Sequence, residues 1–145
     1  MPVPEHLHKA RAFLQDAQLC RDHGRYDSAV SRAYYTMFRA AIGLLEYYGD
    51  IRPGWNHGRL EQVLRRSMVS GRSLLHSGDV DELKGVYALR ITADYDDRLI
   101  SAQEAQFCLA NALRFITQSE RIISHEPHSS RAWSGRQSDP ENQRV

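Results

Sequence analysis

The residues with the greatest capacity for chemistry lie in one short stretch, RITADYDD, at residues 90–97. If this stretch is helical, Arg90, Asp94 and Asp97 stand at positions i, i+4 and i+7 and share one helix face, with Arg98 beside them. An arginine on such a face is suited to bind a phosphate, but the Asp94 carboxylate one turn away would compete with that anion. The alternative interpretation is a structural ion pair on a partly buried face.

His57 is a second candidate, because it stands at the predicted start of a helix in the segment NHG, residues 56–58. A helix N-terminus disfavours a charged imidazole and attracts anions. His57 beside the amides of Gly58 and Arg59 would therefore suit a phosphate site. The alternative is a histidine that fixes the loop through a backbone hydrogen bond.

Two adjacent tyrosines, Tyr34 and Tyr35, diverge by about 100° around their predicted helix. One of them can therefore approach the face that carries Arg90. The alternative role for both is core packing with a hydrogen-bonded hydroxyl.

The remaining histidines do not indicate a metal site. His6 and His8 point to different sides of a helix, and His125 and His128 flank a proline. Zinc sites usually need four well-placed ligands. The sequence also contains no P-loop, no dinucleotide fingerprint and no recognisable Ser or Cys nucleophile. We therefore predict neither a metal nor a cofactor.

The element that must position these residues is the amphipathic run from Tyr26 to Tyr48, which predicts one long buried helix. At about 1.5 Å per residue it spans roughly 35 Å, enough for four other helices to pack on it. Its apolar face contains Val30, Ala33, Tyr34, Met37, Phe38, Ala41, Leu44, Leu45 and Tyr48. The opposite side is predicted to contain Arg32, Thr36, Arg39, Gly43 and Glu46.

Four further helices are predicted around it. The first runs from about Pro4 to Asp22 and ends at His23-Gly24, and the short link to the central helix favours an antiparallel hairpin. Predicted N-terminal caps are Asp27 for the central helix and Asn56 for the third, which stops at Ser70-Gly71. Capping boxes at 79–82 and 101–104 open the fourth and fifth helices. The inner face of the fourth is predicted to contain Leu83, Val86, Tyr87, Ile91 and Tyr95.

These elements predict an all-α, up-and-down antiparallel bundle of about five helices over residues 1–125. Residues 126–145 are rich in Ser, Arg, Pro and Gly, and such a segment cannot bury enough surface to offset its chain entropy. We therefore expect a disordered tail there.

Composition limits the function classes. Basic residues number 19 and acidic residues 18, so net charge does not predict nucleic-acid binding. Lys9 and Lys84 are the only lysines, a bias towards arginine that either phosphate binding or a GC-rich genome would produce.

The longest uncharged apolar stretch, Ala40–Leu45, falls far short of a membrane span, and the N-terminus lacks the apolar core of a signal peptide. We expect a cytoplasmic protein whose Cys20 and Cys108 are buried free thiols.

Four segments together resemble the HEPN family of small prokaryotic helical domains. They are SRAYYTMFRAAIGLLEYYG (31–49), the His57-Gly58 pair, the helix end at 69–71, and RITADYDD (90–97). The resemblance covers about residues 5–123. It implies a helical bundle that forms a homodimer, and an RNA-directed role in a prokaryotic toxin–antitoxin or defence system. The partner implied is a minimal nucleotidyltransferase that acts as the antitoxin.

The resemblance also implies roles for single residues. HEPN ribonucleases carry an arginine, four to six further residues and a histidine on the helix that corresponds to this one. Their arginine steadies the scissile RNA phosphate, and their histidine acts in metal-independent cleavage across a dimer interface. Arg90 matches the arginine, but Asp94 and Tyr95 stand where a histidine is expected. A ribonuclease would then use Arg90, Asp94 and His57, with Tyr35 at the phosphate.

Two further implications follow from the same motif. In several HEPN systems the nucleotidyltransferase modifies a tyrosine near the motif, which makes Tyr95 a candidate acceptor. The missing histidine also leaves an alternative function open. That alternative is a non-catalytic HEPN module that binds a partner protein, a nucleotide or RNA.

Overall fold

The computed structural model describes residues 5–125, which form five α-helices and no strand. The helices are α1 (Glu5–Asp22), α2 (Tyr26–Tyr47), α3 (His57–Leu64), α4 (Ser77–Tyr95) and α5 (Ala102–His125). The chain continues from α3 into a π-helical segment, Arg65–Gly71. The predicted all-α bundle is confirmed. The tail predicted for residues 126–145 lies outside the described residues.

Helix α2 is the centre of the bundle and contacts each of the other four helices. Its burial extends further around the helix than its pattern predicts, because Thr36 and Gly43 are buried as well. The Thr36 hydroxyl donates to the Arg32 carbonyl at 3.0 Å, which satisfies it without an outside partner. A Cβ atom at Gly43 would lie 3.2 Å from the Cβ of His6. Gly43 therefore allows α1 to approach α2 closely on the side predicted to face outward.

Several helix ends are confirmed. Gly24 and Gly49 follow α1 and α2 with φ angles of +72° and +94°, a conformation that favours glycine. The Asn56 side chain accepts from the Arg59 amide at 2.9 Å at the start of α3. The capping box at 101–104 is also present, since Ser101 and Glu104 exchange hydrogen bonds of 3.0 and 3.1 Å.

Two predicted caps are wrong. Arg25 occupies the N-cap position of α2, and the Asp27 carboxylate instead accepts from the Ile100 amide at 2.8 Å. Helix α4 begins earlier than predicted, with His76 at its N-cap, and the Asp79 carboxylate accepts from the His76 amide at 2.8 Å. In both cases the carboxylate satisfies a backbone amide that sequence spacing did not single out.

The inner face of α4 also differs from its prediction. Val80, Leu83 and Val86 are buried, but Ile91 and Tyr95 are 36% and 74% exposed. The face directed at α2 is continued by Tyr87, Arg90 and Asp94, so Ile91 and Tyr95 remain at the surface.

Both cysteines are free thiols, with Cys108 buried and Cys20 only half-buried. Burial raises the pKa of the Cys108 thiol to about 12, which makes it chemically inert at neutral pH. None of the helices within residues 5–125 combines the length and apolar character needed to cross a membrane.

Candidate functional site

The candidate site forms where α2, α4 and the start of α3 meet, and two adjacent tyrosines of α2 connect it. The Tyr34 hydroxyl lies 3.1 Å from Nδ1 of His57. The Tyr35 hydroxyl accepts a hydrogen bond from Nη2 of Arg90 at 2.8 Å. Because neighbouring side chains on a helix diverge, Tyr34 and Tyr35 reach partners on two different helices. His57 and Arg90 are thereby brought into one cluster.

Arg90 is held by both a carboxylate and aromatic rings. Its Nε atom lies 2.9 Å from Oδ2 of Asp94, so the ion pair predicted as the alternative is present. The guanidinium carbon lies 5.7, 5.3 and 5.8 Å from the ring centroids of Tyr34, Tyr35 and Tyr95. The Arg90 side chain remains 16% exposed. This arrangement fixes the guanidinium at the edge of the bundle.

His57 is held by side chains rather than by the backbone hydrogen bond considered from sequence. Its ring stacks on Tyr87 at a centroid distance of 3.7 Å and an angle of 8°. Its Nε2 atom lies 3.3 Å from Oε1 of Glu61, and the His57 side chain is only 11% exposed. Glu61 was not among the residues predicted from sequence, although its i, i+4 spacing from His57 on one helix could have identified it.

Burial controls the protonation of these groups. It lowers the pKa of His57, an effect that the Glu61 carboxylate opposes and the nearby Lys84 charge reinforces. Burial also raises the pKa of the Tyr34 hydroxyl well above its usual range. At pH 7 the cluster therefore contains a neutral imidazole beside a protonated phenol.

The lowered pKa of His57 predicts a pH-dependent stability. Above the ordinary histidine pKa of about 6.5 both the folded and unfolded states hold a neutral ring. As the pH falls below that value, the unfolded chain binds a proton that the folded protein does not, so the free energy of unfolding decreases. We expect the wild type to lose more stability between pH 7.5 and pH 5.5 than His57→Gln, in urea unfolding followed by circular dichroism.

The control for that measurement is His8→Gln, since His8 is an exposed histidine of α1, away from the candidate site. It should keep the wild-type pH dependence. An unchanged slope in His57→Gln would show that His57 does not control acid stability.

Two buried nitrogen atoms of the cluster have no hydrogen-bond partner within residues 5–125. They are Nε of Arg90 and Nε2 of His57, which approach carboxylates without hydrogen-bond geometry. A buried N–H group without an acceptor is costly. The neighbouring carboxylates of Asp94 and Glu61 offset part of that cost electrostatically.

Two residues proposed to share the Arg90 face do not reach the site. Helix α4 ends at Tyr95, so Asp97 lies in the following turn and is exposed. Arg98 pairs instead with Glu104 at 2.8 Å, and this contact lowers the Glu104 pKa to about 2. The helix end therefore restricts the cluster on α4 to residues up to Tyr95.

Nowhere in residues 5–125 do three His, Cys, Asp or Glu side chains stand together as they would to hold a metal ion. The ionisable groups of the candidate site contact one another and the tyrosines instead.

Comparison with known proteins agrees with this architecture. A protein of Methanocaldococcus jannaschii named "Putative toxin MJ0142" is 27% identical over 118 residues, which cover 81% of this chain and 78% of that protein. Residues 3–122 match the family described as the HEPN domain. That match includes all of α1 to α4, most of α5 and every residue of the candidate site, and the chain therefore belongs to the HEPN domain family.

Proposed function

We propose that this protein is an RNA-directed, toxin-like HEPN domain of a prokaryotic toxin–antitoxin or defence system, acting in the cytoplasm. The observation that carries the proposal is the position of Arg90. Its guanidinium is fixed by the Tyr35 hydroxyl and by aromatic rings at the edge of the bundle, and it remains partly exposed. A planar guanidinium held in this way can bind two oxygens of one RNA phosphate. The similarity to a protein named as a toxin supports the biological setting.

The chemistry proposed for the site is metal-independent cleavage that uses the RNA 2′-hydroxyl as the nucleophile. Asp94 is the better placed base, because its side chain is 28% exposed whereas that of His57 is 11% exposed. The carboxylate would take the proton of the 2′-hydroxyl as its oxygen bonds to phosphorus, while Arg90 stabilises the charge on the phosphate. The P–O5′ bond would break, leaving a 2′,3′-cyclic phosphate, and the released 5′-oxygen would take its proton from water. His57 would act through Tyr34, whose hydroxyl contacts the imidazole and whose ring lies against the Arg90 guanidinium.

The partners proposed are a second copy of this chain and a minimal nucleotidyltransferase. Tyr95 suits the role of acceptor for that enzyme, since its side chain is 74% exposed beside Arg90. Modification there would add a charged group next to the guanidinium and hinder access of RNA to it.

The test is expression in a bacterial host of the wild type, Arg90→Ala and Arg66→Ala, with growth and total RNA followed over time. Arg66 is exposed and lies outside the site, so its replacement is the matched control. We expect growth arrest and loss of intact RNA with the wild type and with Arg66→Ala, and neither with Arg90→Ala. Equal arrest by all three proteins, at equal expression and with Arg90→Ala folded, would remove Arg90 from the mechanism.

A non-catalytic module that binds RNA is the second candidate function. The pairing of Asp94 with Arg90 and the low exposure of His57 favour it, because neither the carboxylate nor the imidazole is free to exchange a proton with a substrate. Purified wild type that binds an RNA oligonucleotide without shortening it would favour this function over cleavage.

A further inference from the structure

A band of alternating cations and rings continues from the candidate site across α2 to α1. From Arg90 it passes to the ring of Tyr35, whose centroid lies 6.4 Å from that of Phe13. Two cations lie over the Phe13 ring, with Nζ of Lys9 5.6 Å and the guanidinium carbon of Arg32 5.4 Å from its centroid. We call the set Lys9, Phe13, Arg32, Tyr35, Arg90 and Tyr95 the cation–aromatic band.

Lys9 and Arg32 differ from Arg90 in how they are held. Both are exposed, and neither has a carboxylate partner within residues 5–125. A ring positions a cation through its quadrupole and leaves its net charge in place. A carboxylate, as at Arg90, neutralises the cation that it positions. The two cations over Phe13 therefore keep their full charge and their N–H donors available to an anion.

We propose that the cation–aromatic band binds the backbone of single-stranded RNA, with phosphates on Lys9 and Arg32 leading to the phosphate at Arg90. This inference rests on the RNA-directed function proposed above and adds to it the path and the strandedness of the RNA. It also assigns RNA contacts to α1, which carries no residue of the candidate site.

The single-stranded form follows from the exposed ring of Tyr95 at one end of the band. Proteins that bind single strands combine a cationic track with aromatic side chains on which unpaired bases stack. Tyr95, at the end beside Arg90, is 74% exposed and can receive a base. Bases within a duplex are stacked on one another and cannot reach such a ring.

The carboxylates around the band limit its extent. Asp94 is engaged by Arg90. Asp16 lies one turn beyond Phe13 on the same face of α1, so its repulsion of phosphates closes the band on that side. The proposed path therefore runs from α1 towards α4 and ends at these two acids.

The test is fluorescence anisotropy of a labelled single-stranded oligouridylate of 12 nucleotides, titrated with the full chain at several salt concentrations. We expect Arg32→Gln and Lys9→Gln each to raise Kd about five- to tenfold and to reduce the salt slope by about one. Phe13→Leu should weaken binding several-fold, because it removes the ring that holds both cations. Arg66→Gln, with the same loss of charge elsewhere on the surface, should stay within about twofold of the wild type.

Four results would each contradict a different part of this proposal. Weak binding by Arg90→Gln, with Arg32→Gln and Lys9→Gln equal to the Arg66→Gln control, would overturn the band but leave the proposed function standing. Equal affinity for a blunt duplex of the same length would overturn the single-stranded assignment. Absence of RNA binding by the wild type would overturn the band and the RNA-directed function together. Displacement of RNA by polyglutamate at equal charge concentration would assign the band to an acidic protein surface instead.

Discussion

Replacement of Tyr34 by alanine should lower the free energy of unfolding by about 4 kcal/mol, in the range found for large aromatic side chains removed from cores. Tyr34 is 2% exposed. Its ring lies within 6 Å, centroid to centroid, of the rings of Tyr35, Phe38, His57 and Tyr87. Its removal would leave a cavity between three helices and also deprive Nδ1 of His57 of its partner. Urea unfolding followed by circular dichroism measures the loss.

Two variants separate the contributions of Tyr34. Tyr34→Phe keeps the ring and removes only the hydroxyl, so it should cost about 1 kcal/mol. Tyr95→Ala removes the same side chain at a position that is 74% exposed, and it should change stability by less than about 0.5 kcal/mol. A loss in Tyr34→Ala no greater than that in Tyr34→Phe would show that the ring contributes no packing.

Leu44→Ala should cost about 3 kcal/mol, the second of the large effects. Leu44 is fully buried in α2, the helix that contacts all four others. The cost combines the transfer free energy of the lost carbons with the cavity that they leave, and a residue at the centre of a bundle has few neighbours free to relax into it. The midpoint of urea unfolding should shift to lower concentration.

The matched control is Leu99→Ala, because Leu99 lies between α4 and α5 and is 79% exposed. The same chemical change there should alter the free energy of unfolding by less than about 0.5 kcal/mol. Equal losses of unfolding free energy in Leu44→Ala and Leu99→Ala would show that α2 is not the centre of the core.

Replacements of Tyr34 and of Leu44 should also differ in their effect on the candidate site. Tyr34 contacts both His57 and Arg90, whereas Leu44 belongs to the core alone. RNA binding should therefore be weakened more by Tyr34→Ala than by Leu44→Ala at temperatures where both variants and the wild type are folded. This expectation links the packing of α2 to the function proposed for α4.

Much of the fold follows from local sequence signals. The apolar period of 3.6 residues located α2, and its ends at Tyr26 and Tyr47 agree closely with the prediction. Asn56 and the Ser101–Glu104 box marked the starts of α3 and α5, because caps satisfy amides within three residues of themselves. Arg90 was likewise recognisable as the residue with a potential role in phosphate binding, since motif and spacing are local properties.

Only the tertiary structure decided which partners these residues have. Asp27 caps no helix and reaches Ile100, 73 residues away. Spacing alone showed only that one of Tyr34 and Tyr35 can approach Arg90, whereas in the structure the Tyr34 hydroxyl contacts His57 and the Tyr35 hydroxyl contacts Arg90. Periodicity defines the faces of a helix but not the helix that each face meets. The distances between helices depend on packing, such as the close approach of α1 at Gly43, and contacts between distant residues exist only after that packing forms.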